Sequence, residues 1–292
     1  MNKNYFYIIL AAVFWGTLGV FATELNNIGL NSFQVSLLRA LFSVLFITVV
    51  ILFRDKKLFR INPRDLWMFF GTGIISYFLV NICNFTAINM IGIAAASILL
   101  YTAPIFVTIM SCILFKDKMT KKKALCLVLA VAGCALVSGL ASGSSMNISA
   151  AGILVGLGSG LTYALYSIFS TYALRKYDSL TVTFYTFLFG TIATFLTGNP
   201  IATFSMIASP SGFLLALGLG IIAGAVPYFL YTIGLSKVNP SHAAVIATVE
   251  PVIATLIGIF FYEEPGDIFR IIGIALIIAA SLLLNSKSKN ES

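Results

Sequence analysis

Charged side chains are scarce in this sequence. Only 10% of its 292 residues are Asp, Glu, Lys or Arg, and 59% are hydrophobic, whereas soluble domains carry about 25% charged residues. The mean hydropathy is +1.00. A water-soluble core of this length could not use so much apolar surface. The composition therefore excludes an ordinary soluble domain and indicates a membrane protein with several spans.

Histidine and cysteine are also rare. The chain has one histidine, His242, and four cysteines, Cys83, Cys112, Cys126 and Cys134, which lie in apolar runs without CxxC spacing. The sequence contains no HExxH motif and no Walker A motif. We therefore expect no disulfide, no metal site and no cofactor. An intramembrane enzyme is disfavoured because no nucleophile–base pair stands out, and direct use of ATP would need a partner.

Ten hydrophobic runs are candidates for membrane-spanning helices, since a span needs about 20 mostly apolar residues. They cover residues 5–23, 33–53, 66–87, 93–115, 122–140, 150–174, 180–198, 211–235, 241–262 and 268–285. The first run is nearly that long and nine more follow. We therefore interpret it as an uncleaved helix rather than a signal peptide.

The basic residues predict how these helices are oriented. Of the 18 Lys and Arg residues, sixteen lie on the side of the N-terminus, Arg270 lies on the other side and Arg39 falls inside a helix. Cytoplasmic segments carry an excess of positive charge. We expect a multi-pass protein of the cell (plasma) membrane with both termini in the cytoplasm. The net charge of +8 then reflects membrane topology rather than nucleic-acid binding.

The two halves of the chain align when they are offset by 147 residues, which brings Pro104 onto Pro251 and Thr108 onto Thr255. Each half has five predicted helices, an odd number, so the second half must enter the membrane from the opposite face. We predict an all-α membrane fold of ten helices in two inverted repeats around a central cavity. The predicted segments are a first repeat at 1–140, an outward-facing linker at 141–149, a second repeat at 150–285 and a cytoplasmic tail at 286–292.

A carboxylate and a helix breaker lie together in the run VIATVEPVIATLIGIFF, residues 245–261. Glu250 falls near the bilayer centre, where a charge costs about 2.5–3.5 kcal/mol on insertion scales. It should therefore face protein or a water-filled cavity rather than lipid. We expect Glu250 to exchange protons or to hold a cation. The alternative is a static partner of Arg39 or of tyrosine hydroxyls.

Three prolines are predicted to bend helices or to act as gates: Pro104, Pro227 and Pro251. A proline inside a helix leaves the carbonyl four residues earlier without its usual donor. Pro251 frees the carbonyl of Ala247, and Pro104 frees that of Leu100. Such a carbonyl could accept a hydrogen bond from a substrate if it faces a cavity, although a simple kink is the alternative.

Further polar and aromatic side chains lie at cavity depth. They are Trp15, Thr17, Asn81, Asn84, Tyr101, Tyr163, Tyr166, Tyr185, Tyr228 and Tyr231. With Glu250, the residues that we select as binding substrate or protons are Trp15, Asn81, Asn84, Tyr101, Tyr163 and Tyr228; packing is the alternative for each one. Arg39 either snorkels outward or lines a vestibule. His242 has either an interfacial or a relay role.

Glycines spaced four apart predict close helix contacts. Gly152 with Gly156, and Gly220 with Gly224, form such steps. The contacts could lie within a repeat or in a dimer, so both a monomer and a homodimer stay open.

The chain resembles the drug/metabolite transporter superfamily, EamA type. The resemblance covers essentially the whole chain and rests on FWGTLGVFA, the position of Arg39, LYTAPIF, HAAVIATVEPVIATLIGIFFYEEP and IIGIALIIAASLL. It implies ten helices, inverted repeats, a central cavity and transport of small metabolites, often export of amino acids. It supports Glu250, Pro251, Pro104 and Trp15 as site residues. The family often has an acidic residue after the fourth helix; this chain has Lys116 there, so that role is not carried over.

These observations predict a secondary transporter of small metabolites in the lipid bilayer. We expect an exporter of an amino acid or related metabolite, with Glu250 coupling transport to protons. The alternatives are an exporter of cationic drugs or quaternary amines, in which tyrosines surround the cation, and an uncoupled facilitator.

Overall fold

A computed structural model describes residues 3–138, 149–263 and 266–285 of the chain, and no strand occurs within these ranges. The helices are α1 (Lys3–Asn27), α2 (Ser32–Arg54), α3 (Pro63–Ile91), α4 (Ile93–Phe115), α5 (Lys121–Val137), α6 (Ala150–Ala173), α7 (Ser179–Phe195), α8 (Pro200–Met206), α9 (Pro210–Leu235), α10 (Pro240–Phe261) and α11 (Ile268–Asn285). All of the described regular structure is thus helical.

Seven of these helices are long and apolar enough to cross a membrane: α1, α2, α3, α4, α6, α9 and α10. The count becomes eight if α7 and α8 form one bent span. The remaining predicted spans correspond to α5, α7 and α11, which have 17, 17 and 18 residues. The all-helical membrane character is confirmed, and the count of ten spans stays a prediction.

The predicted helix at 180–198 is too long at its end. α7 stops at Phe195, and α8 follows at an angle of 102°. The reason is local: Asn199 adopts a left-handed conformation and its side chain accepts a hydrogen bond from Ala202 N, while Pro200 occupies the first helical turn. Both features start a new helix. Of the predicted linker only Ser149 is described, and the tail at 286–292 lies outside the described residues.

Several helices begin at side chains that cap their free N–H groups. Asn31 and Gln34 form a reciprocal capping box at the start of α2. Ser149 accepts from Gly152 N at the start of α6, and Asp178 accepts from Leu180 N at the start of α7. These caps fix the first residues of α2, α6 and α7.

Five of the helices are interrupted inside the bundle. α1 breaks at Thr17, α4 breaks at Tyr101 and Thr102, and α10 breaks at Thr248. α3 and α9 instead contain π-helical stretches, at Gly71–Phe78 and Ile221–Ala225. In α4 and α10 a threonine hydroxyl at the break donates to a carbonyl three residues earlier, at 2.6 Å in both cases. Such interruptions are tolerated in a membrane where side chains or neighbouring helices satisfy the released backbone groups.

Four local features recur at the 147-residue spacing that aligns the two halves. The first segment of α4 ends at Leu100 and that of α10 at Ala247. The π stretches end at Phe78 and Ala225. The left-handed residues Lys116 and Glu263 are also 147 apart, as are the first residues of α5 and α11, Lys121 and Ile268. The break of α1 has no counterpart, because α6 is continuous.

The glycines of the two predicted steps lie at close contacts between helices. In α6, Gly152 packs against Ile91 and Gly156 packs against Leu99. In α9, Gly220 packs against Phe42 and Gly224 against Ser43. Both steps therefore serve packing between helices of one chain. The main hydrophobic core lies where α1, α2, α7, α9 and α10 meet.

Candidate functional site

Two cavities meet near the middle of the bundle. The large cavity has a volume of about 180 Å³ and the small cavity about 30 Å³. The side chains Trp15, Tyr163 and Glu250 line both of them. The large cavity extends to Asn26, which is exposed at the end of α1, and to Ser32. The small cavity has room for about one water molecule.

Glu250 lies half-buried at the boundary between the cavities. The break at Thr248 places it in the first turn of the second segment of α10. A helix N-terminus carries a partial positive charge that stabilises a carboxylate. The Tyr163 hydroxyl donates a hydrogen bond of 3.0 Å to Glu250 Oε2. The interruption of α10 thus supplies part of the stabilisation that a carboxylate needs at this depth.

Four aromatic rings pack beside Glu250. The Trp15 ring meets those of Tyr228 and Tyr231, each with a centroid distance of 5.3 Å. The Tyr166 ring lies 4.9 Å from that of Tyr228, and the Tyr231 hydroxyl is 2.7 Å from Ser167 Oγ. We call Trp15, Tyr166, Tyr228 and Tyr231 the aromatic cluster. Trp15 lines both cavities, Tyr166 and Tyr231 line the small one, and Tyr228 lines the large one.

Arg39 lines the large cavity and also holds α9. Its Nε and Nη2 donate to the carbonyl of Ala223 at 3.0 and 2.7 Å. Ala223 lies four residues before Pro227, which has no N–H to donate to this carbonyl. The guanidinium also stands over the rings of Tyr228 and Tyr77, at 5.5 and 6.0 Å. The guanidinium of Arg39 therefore supplies hydrogen bonds to a backbone carbonyl in the π-helical stretch of α9.

The structure brings the selected polar residues together. Trp15, Tyr163 and Glu250 lie at the boundary, Asn81, Asn84 and Tyr228 line the large cavity, and Tyr101 and Pro104 line the small one. Pro227 and Pro251 are buried and line neither of the two. The carbonyls released by Pro104 and Pro251 belong to Leu100, a residue that lines the large cavity, and to Ala247, a residue that lines the small one.

Two other residues named from the sequence have different surroundings. The Tyr185 hydroxyl donates to the carbonyl of Phe59 at 2.7 Å, away from both cavities. His242 Nδ1 lies 3.3 Å from the Tyr5 hydroxyl near the start of α10. Arg39 lines the large cavity rather than snorkelling outward.

A polar cluster around Asp117 is absent from the sequence prediction. Asp117 pairs with Lys123 at 2.7 Å, and Asp117 Oδ2 accepts from Ser241 Oγ and Ser111 Oγ. The family resemblance concerns Lys116, one residue earlier. Asp117 and Ser241 lie 124 positions apart, so no local spacing predicts their contact. The cluster joins the segment between α4 and α5 to the start of α10.

No group of three or more His, Cys, Asp or Glu residues that could hold a metal ion occurs in the described ranges. The site chemistry of these ranges is therefore that of one carboxylate, one guanidinium, amides, hydroxyls and aromatic rings.

A model of the EamA-like transporter family matches residues 2–139 and 150–286, which is most of the sequence. The chain belongs to the EamA-like transporter family. Membership places it in the drug/metabolite transporter superfamily and makes it an integral membrane transporter.

Relatives of this EamA-like chain are similar along much of its length. An uncharacterized transporter of Archaeoglobus fulgidus is 31% identical over 276 residues, with 94% of each chain covered. The uncharacterized transporter YwfM of Bacillus subtilis is 28% identical over 211 residues, covering 71% of this chain and 69% of its own. A solved crystal structure superimposes with a TM-score of 0.82 at 18% identity, covering 98% of this chain and 97% of that one. The last likeness concerns the fold alone.

Proposed function

We propose that this EamA-like transporter is a secondary exporter of an amino acid or related small metabolite, and that substrate binds at the level of Glu250. One observation carries the proposal: Glu250, Trp15 and Tyr163 line both cavities. A substrate held at this level is reached from the large cavity, and rearrangement of the same residues would expose it to the other side. The Glu250 level thus fits the midplane site of an alternating-access transporter.

Ten spans in two inverted repeats are the architecture that we propose for this mechanism, with repeats at 1–140 and 150–285 joined by the 141–149 linker. The recurrence of helix breaks, π stretches and left-handed residues at one spacing supports it. The broken helices α4 and α10 are the moving parts, since a few residues at an interruption can absorb a change of direction. Pro104 and Pro251 follow the two breaks and prevent them from closing into continuous helix.

The large cavity faces the outside in this proposal. It extends to the end of α1 and the start of α2, which lie on the side with a single basic residue, whereas basic residues mark the cytoplasmic side. Both termini are then cytoplasmic and the protein lies in the plasma membrane. The small cavity is the closed cytoplasmic half of the pathway. The protein works as a monomer or homodimer, with lipid as its surroundings.

Glu250 is the residue that we propose to couple transport to protons. It is half-buried, and its carboxylate accepts a hydrogen bond from Tyr163. Within the ranges that the structure describes, no Lys or Arg forms an ion pair with it. An intramembrane carboxylate without a fixed cation can gain a proton or a cationic group during the transport cycle.

Uptake into proteoliposomes tests the coupling. Wild type and Glu250→Gln are reconstituted at equal density and supplied with pooled amino acids and amines, with and without a pH gradient. We expect wild type to concentrate a substrate only with the gradient, and the variant to equilibrate it without concentrating it. Glu24→Gln is the matched control, because Glu24 lies near the end of α1 and lines neither cavity.

Gradient-driven accumulation by Glu250→Gln would show that Glu250 is structural, and the coupling proposal would fail. Equilibration without accumulation in wild type as well would favour an uncoupled facilitator.

The aromatic cluster favours a second candidate substrate class, cationic drugs or quaternary amines, because ring faces attract cations. The same assay includes it through the amine pool.

A further inference from the structure

We propose that Arg39 is an anion subsite of the large cavity, and that the substrate is a zwitterion whose anionic group binds Arg39 and whose cationic group binds Glu250. The inference rests on the proposed function, in that it places the substrate in the cavity next to Glu250. It adds which charged groups the substrate carries and identifies Arg39 as the residue that binds its anionic group.

Arg39 is a buried cation with unused donors. Its exposed fraction is 9%, and it lines the large cavity. Nε and Nη2 donate to Ala223 O, which uses two of the five N–H groups of a guanidinium. Among the residues that the structure describes, no carboxylate pairs with Arg39. The carboxylate of Glu250, in the same cavity, attracts Arg39 only from beyond ion-pair distance. A buried charge without a directly bonded partner is costly, so an anionic ligand that binds Arg39 directly would offset much of this free-energy cost.

The guanidinium is held in place before any ligand arrives. Ala223 O orients one edge, and the guanidinium carbon lies 6.0 and 5.5 Å from the ring centroids of Tyr77 and Tyr228. Tyr77 is in turn oriented by its hydroxyl, which donates to Ser36 O at 3.0 Å. A carboxylate matches the fork geometry of the remaining donors. Little rotamer entropy is then lost when the anion binds.

Glu250 supplies the opposite charge in the same cavity. Only one of its oxygens, Oε2, accepts a hydrogen bond from a described residue, the one from Tyr163. A simple amine would neutralise Glu250 and leave Arg39 unpaired, and a simple acid would do the reverse. A zwitterion neutralises both, which favours it over either single-charge ligand.

Unpaired polar atoms and apolar side chains complete the pattern. In the described part of the chain, Trp15 Nε1, Asn84 Oδ1 and Ser36 Oγ are buried without a hydrogen-bond partner, and all three residues line the large cavity. Buried polar groups normally have partners, so a polar ligand there would satisfy them. Leu18, Val35, Val80, Phe85 and Leu100 form apolar wall, which suits a ligand with an apolar side group.

Binding to the purified full-length protein in lipid nanodiscs tests the proposal by titration calorimetry. The probes are leucine and phenylalanine, their decarboxylated amines isoamylamine and phenethylamine, and their deaminated acids isocaproate and hydrocinnamate. We expect wild type to bind at least one amino acid about tenfold or more tightly than its amine and its acid. Arg39→Gln should bind that amino acid about ten- to a hundredfold more weakly, while amine binding is unchanged.

Arg39→Lys is the companion variant, because it keeps the charge but not the fork; it should retain part of the preference over the amine. The ratio of amino acid to amine affinity does not depend on how much protein is folded. The proposal is overturned if wild type binds the amine as tightly as the amino acid, if Arg39→Gln weakens both equally, or if none of the probes binds. If the protein binds the amino acid selectively but does not transport it in proteoliposomes, the proposed function is contradicted and the proposed anion subsite is supported.

Discussion

Tyr163 is the residue on which the position of the Glu250 carboxylate depends, since its hydroxyl donates the hydrogen bond at 3.0 Å. Tyr163 sits on the continuous helix α6, whereas Glu250 follows a break in α10. The pair therefore joins a rigid element to one that we expect to move.

Replacing Tyr163 with Phe removes this bond and keeps the ring. Hydrogen bonds to charged groups contribute about 1.5–3 kcal/mol, so we expect transport in proteoliposomes to fall by about tenfold or more. Tyr185→Phe is the matched control, because its hydroxyl bonds to Phe59 O outside the cavities. Equal activity of Tyr163→Phe and wild type would mean that the bond does not position Glu250 for transport.

At this scale the sequence predicted which residue types matter but not how they pair. The depth of Glu250 follows from counting residues along one apolar run, and the freed carbonyls follow from proline chemistry. The donor for Ala223 O could not be predicted, because Arg39 is 184 residues away. The rule that was applied to Pro104 and Pro251 also applies to Pro227, so the free carbonyl itself was within reach of the sequence.

α4 and α6 make a close contact at the level of the α4 break. A Cβ atom on Gly160 would lie 2.6 Å from Leu99 O and 2.6 Å from Thr102 Oγ1. The Thr102 hydroxyl also donates to Leu99 O. The glycine thus leaves room for the backbone of the interruption.

In Gly160→Ala the new methyl group should therefore clash with the backbone oxygen of Leu99, which cannot move easily. Overpacking costs about 1–3 kcal/mol, and we expect a lower thermal unfolding midpoint in detergent and weaker transport. Gly158→Ala is the control on the same helix, because its Cβ would meet only Cys83 Sγ, at 3.7 Å. The unfolding midpoint of that variant should rise slightly because alanine has a higher helix propensity than glycine. Equal midpoints for the two variants would contradict the packing argument.

Helix positions were predicted better than helix interruptions. The long spans follow from hydrophobic runs, which are a local property. The short helix α8 is absent from the sequence prediction, although Asn199 and Pro200 are a recognised start signal. The apolar run continues up to these two residues and by itself predicts a helix that reaches residue 198. No proline lies near the break of α1 at Thr17, so the sequence does not predict this break.

In the whole molecule, two polar clusters join the halves on the predicted cytoplasmic side. Asp65 pairs with Lys176 at 2.7 Å and accepts from the Tyr177 hydroxyl. Asp117 binds Lys123, Ser241 and, at 3.3 Å, Asn239. Both clusters link a segment of the first half to one of the second. In the proposed transport cycle, we expect opening of the small cavity to the cytoplasm to weaken these contacts.

The Asp117 cluster predicts a pH dependence of stability. Burial raises the pKa of Asp117, but hydrogen bonds from Lys123 and Ser241 outweigh it and leave the pKa below its usual value. A pKa that folding lowers means that the carboxylate stabilises the fold above its unfolded-state pKa of about 3.9, and that this is lost as the pH falls further.

We expect the unfolding midpoint of wild type to drop as the pH is lowered from about 5 towards 3, and Asp117→Asn to start lower at neutral pH and to drop less. Asp178→Asn is the control, because Asn also caps a helix well and Asp178 caps α7. Parallel curves for wild type and Asp117→Asn would contradict the role of the cluster.

The sequence by itself determined the membrane class and most helix positions, and it predicted that Glu250 lies in the middle of a span and that prolines release carbonyls. A membrane helix satisfies its own backbone, so its existence depends on a local run of residues. Only the tertiary structure decided that Arg39 holds Ala223, that Tyr163 meets Glu250 and that two cavities share one boundary. Lipid is as apolar as the helices, so their contacts depend on the shapes and polar groups of both partners together, and those partners lie 87 to 184 residues apart.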